Sequence, residues 1–220
     1  MTAPIVHSLE PITLIGGGEV NDGDLDLALE RAPVLVAADG GAETALKAGH
    51  TPVAVIGDLD SLSDSARAAL PKDRVFPIEE QNSTDFDKAL RSISAPLVLG
   101  VGFMGARVDH QLAAFNTLVR LADRRCILIG QREVVFQVPP KIEVSLAAGD
   151  VVSLFPMAPV TGWSKGLQWP IDGLKFSPAG RIGTSNRAMG PVVLELDGPG
   201  LLMITPRGAL DAVMQALLSV

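Results

Sequence analysis

The chain has 220 residues, enough for one large domain or two small ones with a real core. Its 47% hydrophobic and 20% charged content is that of a folded globular protein, and a net charge of −7 argues against a nucleic-acid surface, which needs clustered Lys and Arg. A single cysteine, Cys126, excludes an internal disulfide and a Cys-based zinc site. The N-terminus lacks the basic stretch and apolar core of a signal peptide, and no run approaches the roughly 18 apolar residues of a membrane span, so a soluble cytoplasmic protein is expected.

In chain order, short apolar runs alternate with stretches of helical composition as far as Gly130. Strands are expected at Ile12–Ile15, Val34–Ala37, Val53–Ile56, Arg74–Ile78, Leu97–Leu99 and Cys126–Ile129. Helices are expected between them, at Asp24–Arg31, Gly41–Ala48, Ser63–Leu70, Asp85–Ser92 and Gln111–Asp123. This rhythm gives parallel strands with crossover helices, and unbroken apolar strands fit a sheet covered on both faces. Pro139-Pro140 then interrupts the chain, and β-type runs follow at Ile142–Leu146, Val151–Phe155, Val192–Leu196 and Leu201–Ile204, punctuated by Gly and Pro. No long helical pattern returns until Ala209–Leu218, whose apolar residues suggest packing. The expected fold is α/β: an N-terminal parallel-sheet domain at 1–135 followed by a small antiparallel β-sandwich domain at 136–220, with the boundary within 131–140.

In open α/β sheets, ligands bind beyond the carboxyl ends of the strands. The polar motifs sit at such ends: Gly16-Gly17-Gly18, Asp39-Gly40-Gly41, Gly57-Asp58-Leu59-Asp60-Ser61, Gln81 to Lys88, and Gly100 to His110. Glycines there let backbone N–H groups approach phosphate oxygens. Carboxylates gathered at strand ends repel one another unless a cation sits between them, and Mg²⁺, a hard ion preferring oxygen ligands, is the natural occupant. Thr84 reads as a helix N-cap, with Asp85 facing the rim as a metal ligand and Asp87 a solvated cap partner. Gly100-Val101-Gly102-Phe103-Met104-Gly105 matches a dinucleotide-binding pattern, but Asp123 lies at a helix end instead of the tip of the next strand. No P-loop, zinc-type histidine spacing or G-x-S-x-G elbow is present. The chain reads as a Mg²⁺-dependent phosphate-transfer enzyme.

Taken in order, Ala38-Asp39-Gly40-Gly41-Ala42, Gly57-Asp58-Leu59-Asp60-Ser61, Gln81, Thr84-Asp85-Phe86, Lys88, Gly105-x-Arg107-x-Asp109-His110 and Asn116 resemble the thiamin pyrophosphokinase (thiamin diphosphokinase) family. Gly166-Leu167-Gln168-Trp169-Pro170-Ile171 and Thr184-Ser185-Asn186 are similar to two further family elements, with Gln168 in place of the common Lys. The resemblance runs from about residue 12 to 205. It implies transfer of the diphosphoryl unit of ATP to the thiamin hydroxyl, giving thiamin diphosphate and AMP, with Mg²⁺, in a homodimer that binds thiamin near the subunit interface. The first domain would then be the catalytic, nucleotide-binding (ATP) domain and the second the thiamin-binding and dimerisation domain. By the motif match, Asp39, Asp58, Asp60 and Asp85 hold metal-bound phosphates, with Asp58, Asp60, Asp85 and Arg107 catalytic. Gly40, Gln81, Thr84, Lys88 and Asp109, with Asp39, position ATP, and Trp169, Ser185 and Asn186 lie near thiamin. The rivals are a diphosphokinase for another alcohol, such as a hydroxymethylpterin, and a non-catalytic nucleotide or thiamin diphosphate sensor.

Overall fold

The computed structural model describes residues 3–105 and 107–220. Met1 and Thr2, part of the N-terminus read above for a signal peptide, lie outside them, as does Ala106. The described strands are β1 (Val6–His7), β2 (Ile12–Ile15), β3 (Val34–Ala38), β4 (Ala54–Gly57), β5 (Val75–Pro77), β6 (Ile93–Ser94), β7 (Val98–Val101), β8 (Cys126–Ile129), β9 (Glu133–Gln137), β10 (Lys141–Val144), β11 (Val151–Pro156), β12 (Gly162–Leu167), β13 (Gly183–Leu196) and β14 (Leu201–Pro206). The helices are α1 (Asp24–Leu29), α2 (Gly41–Lys47), α3 (Asp64–Ala69), α4 (Asp85–Arg91), α5 (Val108–Arg120) and α6 (Leu210–Leu218). This is a mixed α/β fold. None of the described helices is long and apolar enough to cross a membrane.

The chain forms two compact units: one runs to Thr117 and takes in Leu128–Gly130, and the other holds Leu118–Ile127 and Gln131–Val220. In the first, β2 pairs in parallel with β7, and β3, β4 and β5 pair in parallel in that order. β3 runs beside β2, joined by a single bridge between Ile12 and Pro33. Every residue of β2, β4 and β7 is buried, as expected for parallel strands covered on both faces. The two short strands β1 and β6 make a separate parallel pair. Because the ladders are parallel, the loops leaving β3, β4 and β5 emerge at one end, and so do those leaving β2 and β7.

In the second unit every ladder is antiparallel. β14 lies between β9 and β11, and β11 also pairs with residues 183–187 of β13. The rest of β13, residues 188–196, lies between β10 and β12. β13 changes partners around Gly190, at φ 138°, and Pro191, which has no N–H to donate to a ladder. α6 buries Leu210, Val213, Met214 and Leu217, an i, i+3, i+4, i+7 stripe, and packs on β10.

Several boundaries depart from the sequence expectation. α5 begins at Val108, three residues early, which brings Asp109 into a first turn whose dipole favours a carboxylate. It ends at Arg120, leaving Leu121–Asp123 as a turn. β1, β6, β9, β12 and the first half of β13 were not expected. β12 is Gly-Trp-Ser-Lys-Gly-Leu, with no β-branched residue, and the first half of β13 is polar; cross-strand pairing, not local propensity, makes them strands.

Candidate active site

The five loops of the first unit form a continuous rim. Gly18 N–H donates to the Gly102 carbonyl at 3.0 Å, joining the loops after β2 and β7. A Cβ on Gly17 would stand 3.5 Å from Gly40, and one on Gly40 would stand 3.4 Å from the Ser61 Cβ, so the loops after β2, β3 and β4 touch in turn. Gly41 abuts Ile15, where any Cβ would overlap the carbonyl oxygen. At Gly57 a Cβ would lie 2.9 Å from the Asp39 Cβ and 3.1 Å from Asp85 Oδ1; only glycine lets these two carboxylates close over the end of β4. Phe86 of α4 packs on Phe103, ring centroids 4.4 Å apart, tying α4 to the loop after β7.

Asp39, Asp58 and Asp60 each offer a carboxylate oxygen, all three within 4.8 Å of one another. Asp39 is buried in a left-handed backbone conformation, φ 43°, at the end of β3. Its Oδ1 is buried with no hydrogen-bond partner among the described residues. Burial pushes its carboxyl above the usual aspartate value; the neighbouring Ser61 hydroxyl and Gly40 N–H oppose this, and the Asp85 and Asp58 charges reinforce it. Leu59, at φ 65°, turns the chain so that Asp58 and Asp60 flank a buried apolar side chain. Ser61 Oγ donates to Asp60 Oδ1 at 2.9 Å. A buried, orphaned oxygen beside two further carboxylates is a donor set that fits a hard divalent cation.

Lys88 is the neighbouring cation. It is 1% exposed, and its Nζ donates to Asp58 Oδ2 at 2.9 Å and Asp85 Oδ1 at 3.0 Å. Burial disfavours the ammonium, but the two carboxylates outweigh it and hold Lys88 above its usual value. The Lys88 hydrogen bond in turn holds Asp58 below the aspartate range. Thr84 caps α4, its Oγ1 accepting from Asp87 N–H at 3.3 Å. Asp87 corrects the expectation of a solvated cap partner: it is 2% exposed and faces Arg91 Nη1 at 3.8 Å. Gln81 is exposed on the loop before α4, where its Nε2 donates to the Glu79 carbonyl at 3.5 Å. At the start of α5, Arg107 grips Asp109 through two exposed hydrogen bonds of 2.6 and 3.2 Å. Asp39, Asp58, Asp60, Asp85, Gly40 and Lys88 are thus brought together, Thr84 caps the helix that carries Asp85 and Lys88, and Gln81, Arg107 and Asp109 stand exposed with partners of their own.

The second unit holds the other expected residues. Trp169 is 55% exposed, and the buried Asn186 bonds its backbone: Trp169 N–H donates to Asn186 Oδ1 at 3.1 Å and Asn186 Nδ2 donates to the Trp169 carbonyl at 2.6 Å. Ser185 is left-handed, φ 61°, and its N–H donates to Ser153 Oγ at 3.0 Å. Sequence reasoning singled out neither Ser61 nor Ser153. Ser61 stands in a motif already quoted, directly after Asp60, and could have been found there; Ser153 carries no sequence signal.

Residues 25–129 match the family model described as thiamin pyrophosphokinase, catalytic domain, and residues 137–199 the one described as thiamin pyrophosphokinase, vitamin B1 binding domain. The chain belongs to the thiamin pyrophosphokinase family. Curated relatives agree: Thiamine pyrophosphokinase 1 of Oryza sativa subsp. japonica is 27% identical, with 73% of this chain and 74% of that protein covered. Thiamine pyrophosphokinase 1 of Arabidopsis thaliana is 26% identical, with 73% of each covered. The crystal structure of thiamin pyrophosphokinase from Geobacillus thermodenitrificans matches with a TM-score of 0.71 at 25% identity, covering 89% of this chain and 96% of that one. The Candida albicans enzyme, at 15% identity, shares the fold: TM-score 0.75 over 94% and 95% of the two chains. The activity is that of a thiamin pyrophosphokinase, a diphosphotransferase.

Proposed function

We propose that the chain transfers the β,γ-diphosphoryl group of ATP to the hydroxyl of thiamin, with Mg²⁺, at the aspartate rim of the first unit. The hydroxyl oxygen forms a bond to Pβ, the bridge from Pβ to Pα breaks, AMP leaves with the bridging oxygen, and the hydroxyl proton is released. Chemistry of this kind asks for positioning and charge neutralisation, not a protein nucleophile. The orphaned Asp39 Oδ1 within the Asp39, Asp58 and Asp60 cluster carries the reading. Those three, with Asp85 beside them, are the residues that would hold Mg²⁺, which when bound neutralises polyphosphate charge.

The protein's own groups have distinct tasks. Lys88 balances Asp58 and Asp85 and keeps the carboxylates gathered before a polyphosphate arrives. Asp58, held below the usual range, stays ionised through neutral pH. Gly40 and the neighbouring glycines offer close backbone approach to phosphates. Arg107, exposed on a flexible stem, exchanges Asp109 for a phosphate oxygen, and Gln81 and Thr84 line the approach to α4.

Residues 1–135 are assigned as the parallel-sheet ATP-binding domain and 136–220 as an antiparallel β-sandwich for thiamin binding and dimerisation. Trp169 presents an aromatic face suited to a cationic thiazolium, and Ser185 stands beside Asn186. A homodimer with thiamin near the subunit interface fits the exposure of Trp163, Trp169, Ile182 and Met189. A cytoplasmic setting fits the buried free thiol of Cys126. Incubation with Mg-ATP and thiamin tests the reaction: AMP with thiamin diphosphate supports it, and ADP with thiamin monophosphate contradicts it.

A further inference from the structure

Trp169 stands just beyond the end of β12, where ordinary ladder pairing has stopped. The last paired residue of β12 is Leu167, opposite Ala188, after a register shift at Gly166, which adopts φ 85°. Gln168 N–H still reaches the Arg187 carbonyl at 2.8 Å. At Trp169 the partner is no longer backbone but the side-chain amide of Asn186, which accepts from Trp169 N–H and donates to its carbonyl. The amide thus does what a facing peptide group does in a ladder, donating and accepting toward one residue. Its orientation is fixed a third time, because Arg187 N–H also donates to Oδ1 at 2.8 Å. Two N–H donors on one atom leave no choice about which end is oxygen.

The neighbouring chain is braced as well. Pro170 favours extended backbone at Trp169. The left-handed turn at Ser185 is held by Ser153 Oγ, and Arg187 Nη1 donates to the Gly149 carbonyl at 3.2 Å. A buried polar side chain spends its hydrogen bonds to fix the backbone of a residue whose large apolar ring stays more than half in water. The ring carried by that backbone lies mostly outside the core, although Leu167 and Ile171 on either side of it are buried.

We infer that Asn186 is a positioning residue for thiamin, acting through Trp169: its amide fixes the Trp169 backbone so that the exposed indole is presented at one angle to the cationic ring. The inference rests on the reading of Trp169 as the aromatic face for thiamin. It places the role of Asn186 in the Trp169 backbone: Oδ1 already accepts twice, and Nδ2 donates one hydrogen to the Trp169 carbonyl.

The test compares Asn186→Ala, Asn186→Asp, Trp169→Ala and the double Trp169→Ala/Asn186→Ala variant by steady-state kinetics. It adds indole emission and acrylamide quenching in a Trp163→Phe background, where Trp169 is the sole tryptophan. Asn186→Ala, which removes both bonds to the Trp169 backbone, is expected to raise the KM for thiamin by about tenfold, with the KM for ATP within about twofold. Its Trp169 emission becomes more quenchable. Asn186→Asp keeps the acceptor for both N–H groups and recovers part of the loss; if Asn186→Ala does not fold, this variant carries the comparison. In the double variant Asn186→Ala adds less than about twofold to the effect of Trp169→Ala, the non-additivity of residues acting as a unit. An undisturbed thiamin KM in Asn186→Ala, beside a raised one in Trp169→Ala, overturns the inference alone, and so do effects that multiply in the double variant. An unchanged thiamin KM in Trp169→Ala overturns the parent reading, and the inference with it.

Discussion

Replacing Lys88 by methionine keeps the aliphatic stem and removes the charge, which isolates what the ammonium does among the aspartates. Its nitrogen holds Asp58 at 2.9 Å and Asp85 at 3.0 Å, and Asp39 lies close enough to feel both carboxylates. Stripping one partner from a fully buried ion pair costs about 3–5 kcal/mol, because the charge left behind is uncompensated. The Asp58 and Asp85 side chains keep 18% and 33% of their exposure, so water screens part of that cost, and about 2–3 kcal/mol is the expected loss. For a chain of this size that is a fall of about 4–12 °C in Tm. Mg²⁺ should then restore more stability to the variant than it adds to the parent protein, since the variant lacks the ammonium that sits between Asp58 and Asp85. The assay is thermal unfolding with excess EDTA and with saturating Mg²⁺, with far-UV circular dichroism to confirm the fold. A Tm in EDTA within about 1 °C of the parent, or a Mg²⁺ shift no larger than the parent's, refutes the reasoning.

Asp60→Asn should leave the fold intact, because Asp60 is exposed and its bond from Ser61 survives in an amide, while turnover falls by orders of magnitude; near-normal activity removes its metal role. Asp58 has a depressed folded-state pKa, so its contribution to stability is present above the ordinary aspartate value and is lost as pH falls through the depressed one. Lys88 has a raised pKa, so its share is present below the ordinary lysine value and is lost as pH rises through the raised one. Urea unfolding should therefore show no contribution from this pair to pH dependence between about 5 and 9, with a decline on the acid side that Lys88→Met flattens. Gly41→Ala should yield little folded protein, because its methyl would overlap the Ile15 carbonyl oxygen; normal solubility and Tm would contradict that. Cys126 is buried and its thiol is pushed far up by burial, so a thiol reagent at pH 8 should leave it unmodified until urea unfolds the chain.

Much of the chain before Gly130 was legible because its signals are local. Ile12–Ile15 and Cys126–Ile129 are unbroken apolar runs, and the structure has them as strands with the same bounds. Asp39, Asp58 and Asp60 were identified together because each follows such a run, and parallel strands carry their ends to one side. What stayed hidden depends on long-range partners. Asp87 looks like a surface carboxylate from its place in the first turn of α4, and only packing buries it against Arg91. Asn186 reads as a ligand residue in a polar stretch; that its amide completes a ladder across 17 residues of sequence is a property of the folded register. β12 and the early part of β13 escaped notice because glycine and polar residues become strands there through their neighbours, not through their own preferences.

The central claim is that Asp39, Asp58 and Asp60 form the site for a divalent cation that carries ATP. Mn²⁺ in place of Mg²⁺, followed by electron paramagnetic resonance during titration of the parent protein and of Asp39→Asn and Asp60→Asn, addresses it without relying on turnover. Mn²⁺ should bind the parent, bind it more tightly with ATP, and lose about tenfold or more in affinity in each variant at unchanged fold. Equal Mn²⁺ affinity in all three well-folded proteins would contradict it.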